Sequence, residues 1–400
     1  MEESMASNFT YYTPTEVVFG KDTEREAGRL VKGHGGTKVL LHYGSNSAKK
    51  TGLLDRVAAS LKAEGIDYVE LGGVVPNPRL SKVHEGIKLG KKEGVDFILA
   101  VGGGSVIDSA KAIAYGLYNG GEVWDFYEGK RTLQGALPHA AIVTIAAAGS
   151  EMSNSSVITN EDGWLKRGLN TEYGRCRFAI MNPELLYTLP EYQTMSGIVD
   201  IMLHTMERYF IIEEPMSLTD DIAAALLKNV MHHAHILLKD PKNYEARANI
   251  MWAGSLSHNG LTGAGNGSRG DWACHQIEHE LGGLYDIAHG AGLSAVWDSW
   301  ARYVYKIKPE RFASFGYKVF DLPKSGDADA DALSAIAATK AFFESIKMPT
   351  TIKALGVNPT EEEILDMADK CSFGGTRTPG SIKALDRADI EAIYRLALGD

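Results

Sequence analysis

The stretch LAVGGGSVIDSAK, Leu99–Lys111, reads as an apolar strand that ends on three consecutive glycines and turns directly into a helix. Without Cβ atoms, Gly102, Gly103 and Gly104 let the backbone come close to an anion, and Ser105 stands where it can cap the helix whose free N–H groups face that anion. A diphosphate suits such a turn. The pattern is neither G-x-G-x-x-G nor a Walker A loop, which would end in Gly-Lys-Ser/Thr. Three glycines followed by Ser within an alternating α/β segment nevertheless favour phosphate binding over a purely structural turn.

Working outward, short apolar runs alternate with amphipathic stretches from Thr15 to about residue 144. Strands are predicted at 16–20 (EVVFG), 38–43 (KVLLHY), 67–71, 96–101 (DFILAV) and 140–144, with helices at 53–64, 80–93 and 106–117. This alternation predicts a parallel sheet covered on both faces. Residues 150–181 turn polar and β-prone, and read as a hairpin or irregular flap closing this half. Pro183 and Pro190, in NPELLYTLPEY, mark a boundary. Residues 1–187 are thus expected to form an α/β dinucleotide-binding domain, and 188–400 an all-helical metal-binding and catalytic domain. Helices are expected at 197–211, 217–238, 244–259, 297–304, 329–345, 360–371 and 388–397.

At 400 residues the chain exceeds a single small core, and its 44% hydrophobic and 23% charged content is that of a globular protein. A net charge of -10 argues against nucleic acid or an anionic membrane surface as the main partner. No apolar run reaches the length of a membrane span, and the N-terminal residues show no signal-peptide pattern. Three widely spaced cysteines, Cys176, Cys274 and Cys371, favour a reducing compartment over a disulfide framework. A cytoplasmic enzyme is expected.

A second turn, Tyr43 to Lys50, follows the KVLLHY strand and contains Gly44, Ser45 and Ser47. NAD-preferring enzymes usually place an acidic side chain against the ribose 2′-hydroxyl at such a strand end. None occurs in this turn, whereas small hydroxyl side chains with Lys49 and Lys50 would accommodate a 2′-phosphate; an ordinary helix cap followed by surface lysines fits the same residues equally well.

The metal-binding candidates lie in the second half. WACHQIEHELGGLYDIAHGAGL, Trp272–Leu293, holds His275 and His279 four residues apart on a helix, and His289 on a Gly-rich continuation read as a turn or loop. In GIVDIMLHTMERYF, Asp200 and His204 share a helix face with the same spacing. One carboxylate with imidazoles suits a borderline divalent cation better than Mg²⁺ or Ca²⁺. Four histidines compete for three places. Spacing favours His275 with His279 and does not exclude His289. His232, His233 and His235 point in different directions around a helix and are read as structural, and His258 as structural or pocket-lining.

Together, NPRL, VGGGSVIDSAK, TIAAAGSEMS, NPELLYTLP, DIMLHTMERY, ARANIMWA and the His window resemble the iron-dependent (group III) alcohol dehydrogenases, in their butanol dehydrogenase and aldehyde reductase branch. The resemblance implies the fold shared by dehydroquinate synthase and these dehydrogenases. It also implies a metal held by Asp200, His204, His275 and His289, with His279 as a non-ligand that relays the proton. Iron is the first choice of metal, with zinc, nickel and cobalt as alternatives. The phosphate loop falls on Gly102 to Ser105 with Asp108 following. Contacts to the 2′-phosphate of NADP(H) fall on Ser45 and Ser47 with Lys166, and Thr144 joins the cofactor wall. Where the family commonly has Thr before Gly-Ser-Glu, this chain has Ala148, which removes a hydroxyl from that wall. The implied reaction is hydride transfer between NADP(H) and a small alcohol or aldehyde, in a homodimer. Trp252, Leu256 and Leu261 are expected to offer an apolar pocket. The rival readings are a metal- and NAD-dependent lyase of the dehydroquinate synthase type and a metal hydrolase.

Overall fold

A computed structural model describes residues 7–44, 47–267 and 270–399. The chain divides into two compact units, one from Tyr12 to Leu189 and one from Pro190 onward; residues 7–11 belong to the second. That segment was expected in the α/β half. It clusters with the helical unit because Phe9 lies against Gly265, where an added Cβ would stand 3.3 Å from its ring.

The first unit is built on a six-stranded sheet of order β1-β8-β5-β4-β2-β3. The strands are β1 (Glu16–Phe19), β2 (Lys38–Tyr43), β3 (Asp67–Leu71), β4 (Phe97–Gly102), β5 (His139–Val143) and β8 (Phe178–Met181), and every pair is parallel. The helices are α1 (Ala27–Gly33), the single-turn α2 (Ser47–Lys50), α3 (Leu53–Ala63), α4 (Leu80–Glu93), α5 (Gly104–Asn119) and the short α6 (Trp124–Tyr127). Strands β4 and β5 are buried at every position, as sheet covered on both faces requires. On one face Val39, Leu41, Leu99, Ile142 and Ile180 pack against Leu30, Val31, Leu54, Val57 and Leu61 of α1 and α3. On α4 and α5, Gly86 meets Ile113 and Gly116 meets Ile87: a Cβ at either glycine would fall within 2.3 Å of the facing isoleucine.

Residues 150–181 do contain the expected hairpin, β6 (Ser155–Asn160) with β7 (Leu165–Asn170). They also contain β8, which was not foreseen. FAIM is only four residues long and sits in a polar context. It becomes a strand because β1 and β5 supply hydrogen-bonding partners on both edges.

The second unit is helical: α7 (Glu191–Tyr209), α8 (Ser217–Lys239), α9 (Tyr244–His258), α10 (Ala273–Tyr285), α11 (His289–Val304), α12 (Pro309–Val319), α13 (Ala328–Ser345), α14 (Glu361–Cys371) and α15 (Arg387–Ala397). Helix α12 was also missed; Pro309 opens it at the first helical position, where the missing N–H costs nothing. Helix α7 is buried almost continuously from Thr194 to Glu207, so it is the central helix of this unit. Tyr209, Phe210, Phe312 and Phe315 stack at its end, with Phe210 and Phe312 centroids 4.5 Å apart. Among the described residues no helix is long and apolar enough to cross a membrane.

Candidate metal and dinucleotide sites

Helices α7, α10 and α11 place the predicted ligands. Asp200 and His204 lie on α7 and His275 on α10; His289, expected on a turn or loop, is the first residue of α11. Asp286, in the left-handed region at φ 51°, ends α10 and turns the chain back on itself. Helix α11 then packs backbone against backbone on α7: a Cβ at Gly290 would stand 1.9 Å from the Ser196 carbonyl oxygen. That approach brings His289 to Asp200.

Asp200 Oδ1 lies at the centre of the cluster. His204 Nδ1 is 3.5 Å from it, and His275 Nε2 and His289 Nε2 are each 3.7 Å away. Asp200 Oδ1, His204 Nδ1 and His275 Nε2 are buried with no hydrogen-bond partner among the described residues. Buried polar atoms are normally paired, so this set calls for a shared partner. A cation bonded tetrahedrally at about 2.1 Å holds its ligands about 3.4 Å apart, close to these separations. The residues therefore fit a borderline divalent cation.

The donor atoms of Asp200, His275 and His289 lie within 4.8 Å of one another, and a second such group joins Glu278, His279 and His289. His279 is thus grouped with His289 and Glu278 and not with Asp200. Its ring centroid is 5.8 Å from that of His289.

Four neighbours had gone unassigned or been set aside. Glu207, one turn beyond His204, accepts from the His275 backbone N–H at 3.0 Å and lies 3.1 Å from His275 Nδ1. Glu278 accepts from His289 Nδ1. The His258 ring lies tilted against that of His204 with centroids 4.0 Å apart, and Trp272 lies beside His204, His258 and His275. The available signal was spacing: Glu207 and Glu278 each follow a candidate ligand, His204 and His275, by three residues, one helical turn. Burial pulls the His275 imidazole down, but Glu207 and Asp200 outweigh it and lift it to about 9. Burial and the facing imidazoles hold His204 well below the usual histidine range.

In the α/β unit the glycine turn is sterically required. A Cβ at Gly102 would lie 2.4 Å from Val106, one at Gly103 2.9 Å from Ile145, and one at Gly104 2.8 Å from the Ala148 methyl. The N-cap is Gly103, so Ser105 sits inside the first turn and does not cap it, contrary to the sequence expectation. A glycine cap brings no side-chain acceptor to the helix N-terminus, where the Val106 and Ile107 N–H groups turn back to Gly103 O, and that end of the helix attracts an anion. Thr144 donates its backbone N–H to Gly102 O at 3.0 Å. Gly44, at the end of β2, faces Val106, which a Cβ there would meet at 3.7 Å. Asp108 is engaged in the fold: Oδ1 accepts from Ser150 Oγ at 2.6 Å and Oδ2 from the Val157 N–H at 2.9 Å. Lys166 is buried on β7, opposite Thr159. Ser47 opens α2, while Ser45 lies outside the described residues. The corner holds an acidic group after all: Glu70 of β3 accepts from Tyr43 Oη at 2.9 Å and lies 4.0 Å from Lys49 Nζ. Pairing of β2 with β3 brings it there from a distant part of the chain. Trp252, expected in a pocket, stands exposed on α9.

Residues 14–183 match the model of the iron-containing alcohol dehydrogenases, and residues 194–398 the C-terminal domain of the same family. A probable NADH-dependent butanol dehydrogenase 2 of Bacillus subtilis is 40% identical over 98% of this chain and 100% of its own length. The NADPH-dependent aldehyde reductase YqhD of Escherichia coli is 34% identical over 88% of this chain and 90% of its own. The crystal structure of NADH-dependent butanol dehydrogenase A from Thermotoga maritima superposes with a TM-score of 0.94 at 39% identity, covering 98% of this chain and 99% of that one. These likenesses leave the lyase reading without support. With its buried carboxylate–imidazole cluster and its glycine turn, the chain belongs to the iron-containing alcohol dehydrogenase family and is an alcohol/aldehyde oxidoreductase.

Proposed function

We propose that this chain interconverts small primary alcohols and aldehydes with NADP(H), using a divalent cation, iron first, held by Asp200, His204, His275 and His289. The observation that carries the reading is the buried Asp200 Oδ1 with three imidazole nitrogens 3.5–3.7 Å from it. When bound, the cation supplies Lewis acidity to the substrate oxygen, while the nicotinamide carries the hydride. Asp200 contributes negative charge and the histidines contribute neutral nitrogen donors. Trp272 and the surrounding α7 and α10 side chains keep water from the cluster. His279, buried beside His289, holds and passes the proton exchanged at the substrate oxygen. In the α/β unit Gly102 to Ser105 hold the diphosphate, with Gly44 and Thr144 beside them. Asp108 acts by holding Ser150 and Val157 in place.

The NADP(H) preference is supported by Ser47, Lys49 and Lys50 in the short helix that follows β2, with Ser45 and Lys166 assigned by resemblance. A second reading, NAD(H), is favoured by Glu70 at the same corner and by the NADH dependence named for the butanol dehydrogenase relatives. A homodimer in the cytoplasm completes the proposal.

Metal analysis of the purified protein, with steady-state oxidation of NADPH and NADH across an aldehyde series, tests this reading. Expected are one divalent ion per chain, turnover lost on chelation, and a higher kcat/KM with NADPH. Full metal content in His275→Ala or His289→Ala would overturn the ligand set. A higher kcat/KM with NADH would overturn the cofactor preference.

A further inference from the structure

We propose that Glu278 is a positioning residue for the metal centre: its carboxylate accepts a hydrogen bond from His289 Nδ1–H and so turns the Nε2 lone pair of that ring toward Asp200. The inference rests on the ligand set proposed above.

Glu278 lies on α10, three residues after His275 and one before His279, and is fully buried. A carboxylate in such a place costs several kcal/mol unless it is paired, so its presence is tied to its partner. That partner is His289, whose Nδ1 hydrogen-bonds Glu278 Oε2 while Nε2, on the opposite edge of the ring, stands 3.7 Å from Asp200 Oδ1. An ionised carboxylate only accepts, and a neutral imidazole carries one N–H. The proton therefore sits on Nδ1, and Nε2 keeps the lone pair that a cation needs. The negative charge behind the ring also raises the donor strength of Nε2.

Gly292, one turn along α11 from His289, holds Glu278 in this position. A Cβ there would lie 2.8 Å from Glu278 Cγ, 3.0 Å from its Oε1 and 2.9 Å from Ile287 Cδ1. The carboxylate thus occupies the space that any side chain at position 292 would take. Glycine at 292 and glutamate at 278 form one device.

The test uses the full-length chain as wild type, Glu278→Ala, Glu278→Gln, Gly292→Ala and His289→Ala. The first readout is Kd for Zn²⁺ by competition with a chromophoric chelator, and the second is the visible d–d absorption of the Co²⁺-substituted protein. Thermal melting and binding of reduced cofactor, followed by fluorescence, report folding. Glu278→Ala is expected to weaken Zn²⁺ binding 10–100-fold and to change the cobalt spectrum. Gly292→Ala should do the same, although it removes no functional group. Glu278→Gln keeps an oxygen that can accept from Nδ1–H and should recover part of the loss. His289→Ala separates the two claims: if it binds Zn²⁺ as tightly as wild type, the ligand set itself is wrong, and this inference goes with it. If His289→Ala loses the metal while Glu278→Ala stays within threefold of wild type with an unchanged cobalt spectrum, the positioning role is refuted and the ligand set stands. Should Glu278→Ala fail to melt cooperatively, Gly292→Ala decides by the same criteria.

Discussion

Gly290→Ala tests whether the close approach of α11 to α7 sets the proposed metal site. The added Cβ would stand 1.9 Å from Ser196 O, and non-bonded carbon–oxygen contacts below about 3 Å are strongly repulsive. Helix α11 must therefore retreat by about 1 Å, an overpacking that typically costs about 1–3 kcal/mol. His289 Nε2 starts 3.7 Å from Asp200 Oδ1. Carried by the whole helix, the retreat opens this to about 4.7 Å, beyond the about 4.2 Å that one ion with bonds of about 2.1 Å can span. The variant should bind Zn²⁺ at least tenfold more weakly in chelator competition, and its metal-free form should unfold at lower urea. It should still bind reduced cofactor, because the glycine turn lies in the other unit. An unchanged urea midpoint with Zn²⁺ affinity within threefold of wild type would refute the reasoning.

Arg311 and Asp220 form a buried bidentate pair, and Arg311 also donates to Tyr209 O. Arg311→Ala strands the carboxylate and should cost about 3–5 kcal/mol in urea unfolding, and the double variant with Asp220→Ala should cost less than the two single losses added. Lys111 is fully buried and its Nζ donates to the carbonyls of Ser150, Ser153 and Ser155. Lys111→Met removes three charge-assisted hydrogen bonds, so a loss of about 3 kcal/mol and faster amide exchange across residues 150–157 are expected; unaltered exchange there would contradict the stapling role. His42, buried between Leu71 O and Ser109 Oγ, is pushed down to about 4 by burial. Its contribution is fully present above the unfolded value near 6.5 and is lost as pH falls through 4, amounting to at most about 3 kcal/mol. His42→Gln should therefore show a shallower loss of stability than wild type between pH 6.5 and 4, and parallel curves would count against it.

Much of the architecture is legible along the chain because its signals are local. Strand–helix alternation, the run of apolar residues in β4, and Pro183 and Pro190 each depend on neighbours only a few residues away. Asp200 with His204 is a helical i,i+4 pair, which periodicity alone can place on one face. The glycine turn was legible too, although its reason was not: Val106, Ile145 and Ala148 crowd the three glycines, and Gly103, not Ser105, forms the cap. FAIM carries too few residues to declare itself a strand and acquires its state from β1 and β5. Glu70 reaches the β2 corner only through strand pairing.

The division among His275, His279 and His289 shows the limit most clearly. By itself the sequence determined which residue types were available and that His275 and His279 share a helical face; in that local geometry, pairing them was as acceptable as any alternative. Only the tertiary structure decided which nitrogens approach Asp200. The left-handed residue Asp286 turns the chain, Gly290 lets two helix backbones touch, and Glu278 orients the His289 ring. Contacts between α7, α10 and α11 join residues far apart in the chain, such as Asp200 with His289 and Ser196 with Gly290. Spacing along a single helix carries no record of such contacts, because they arise from packing between helices.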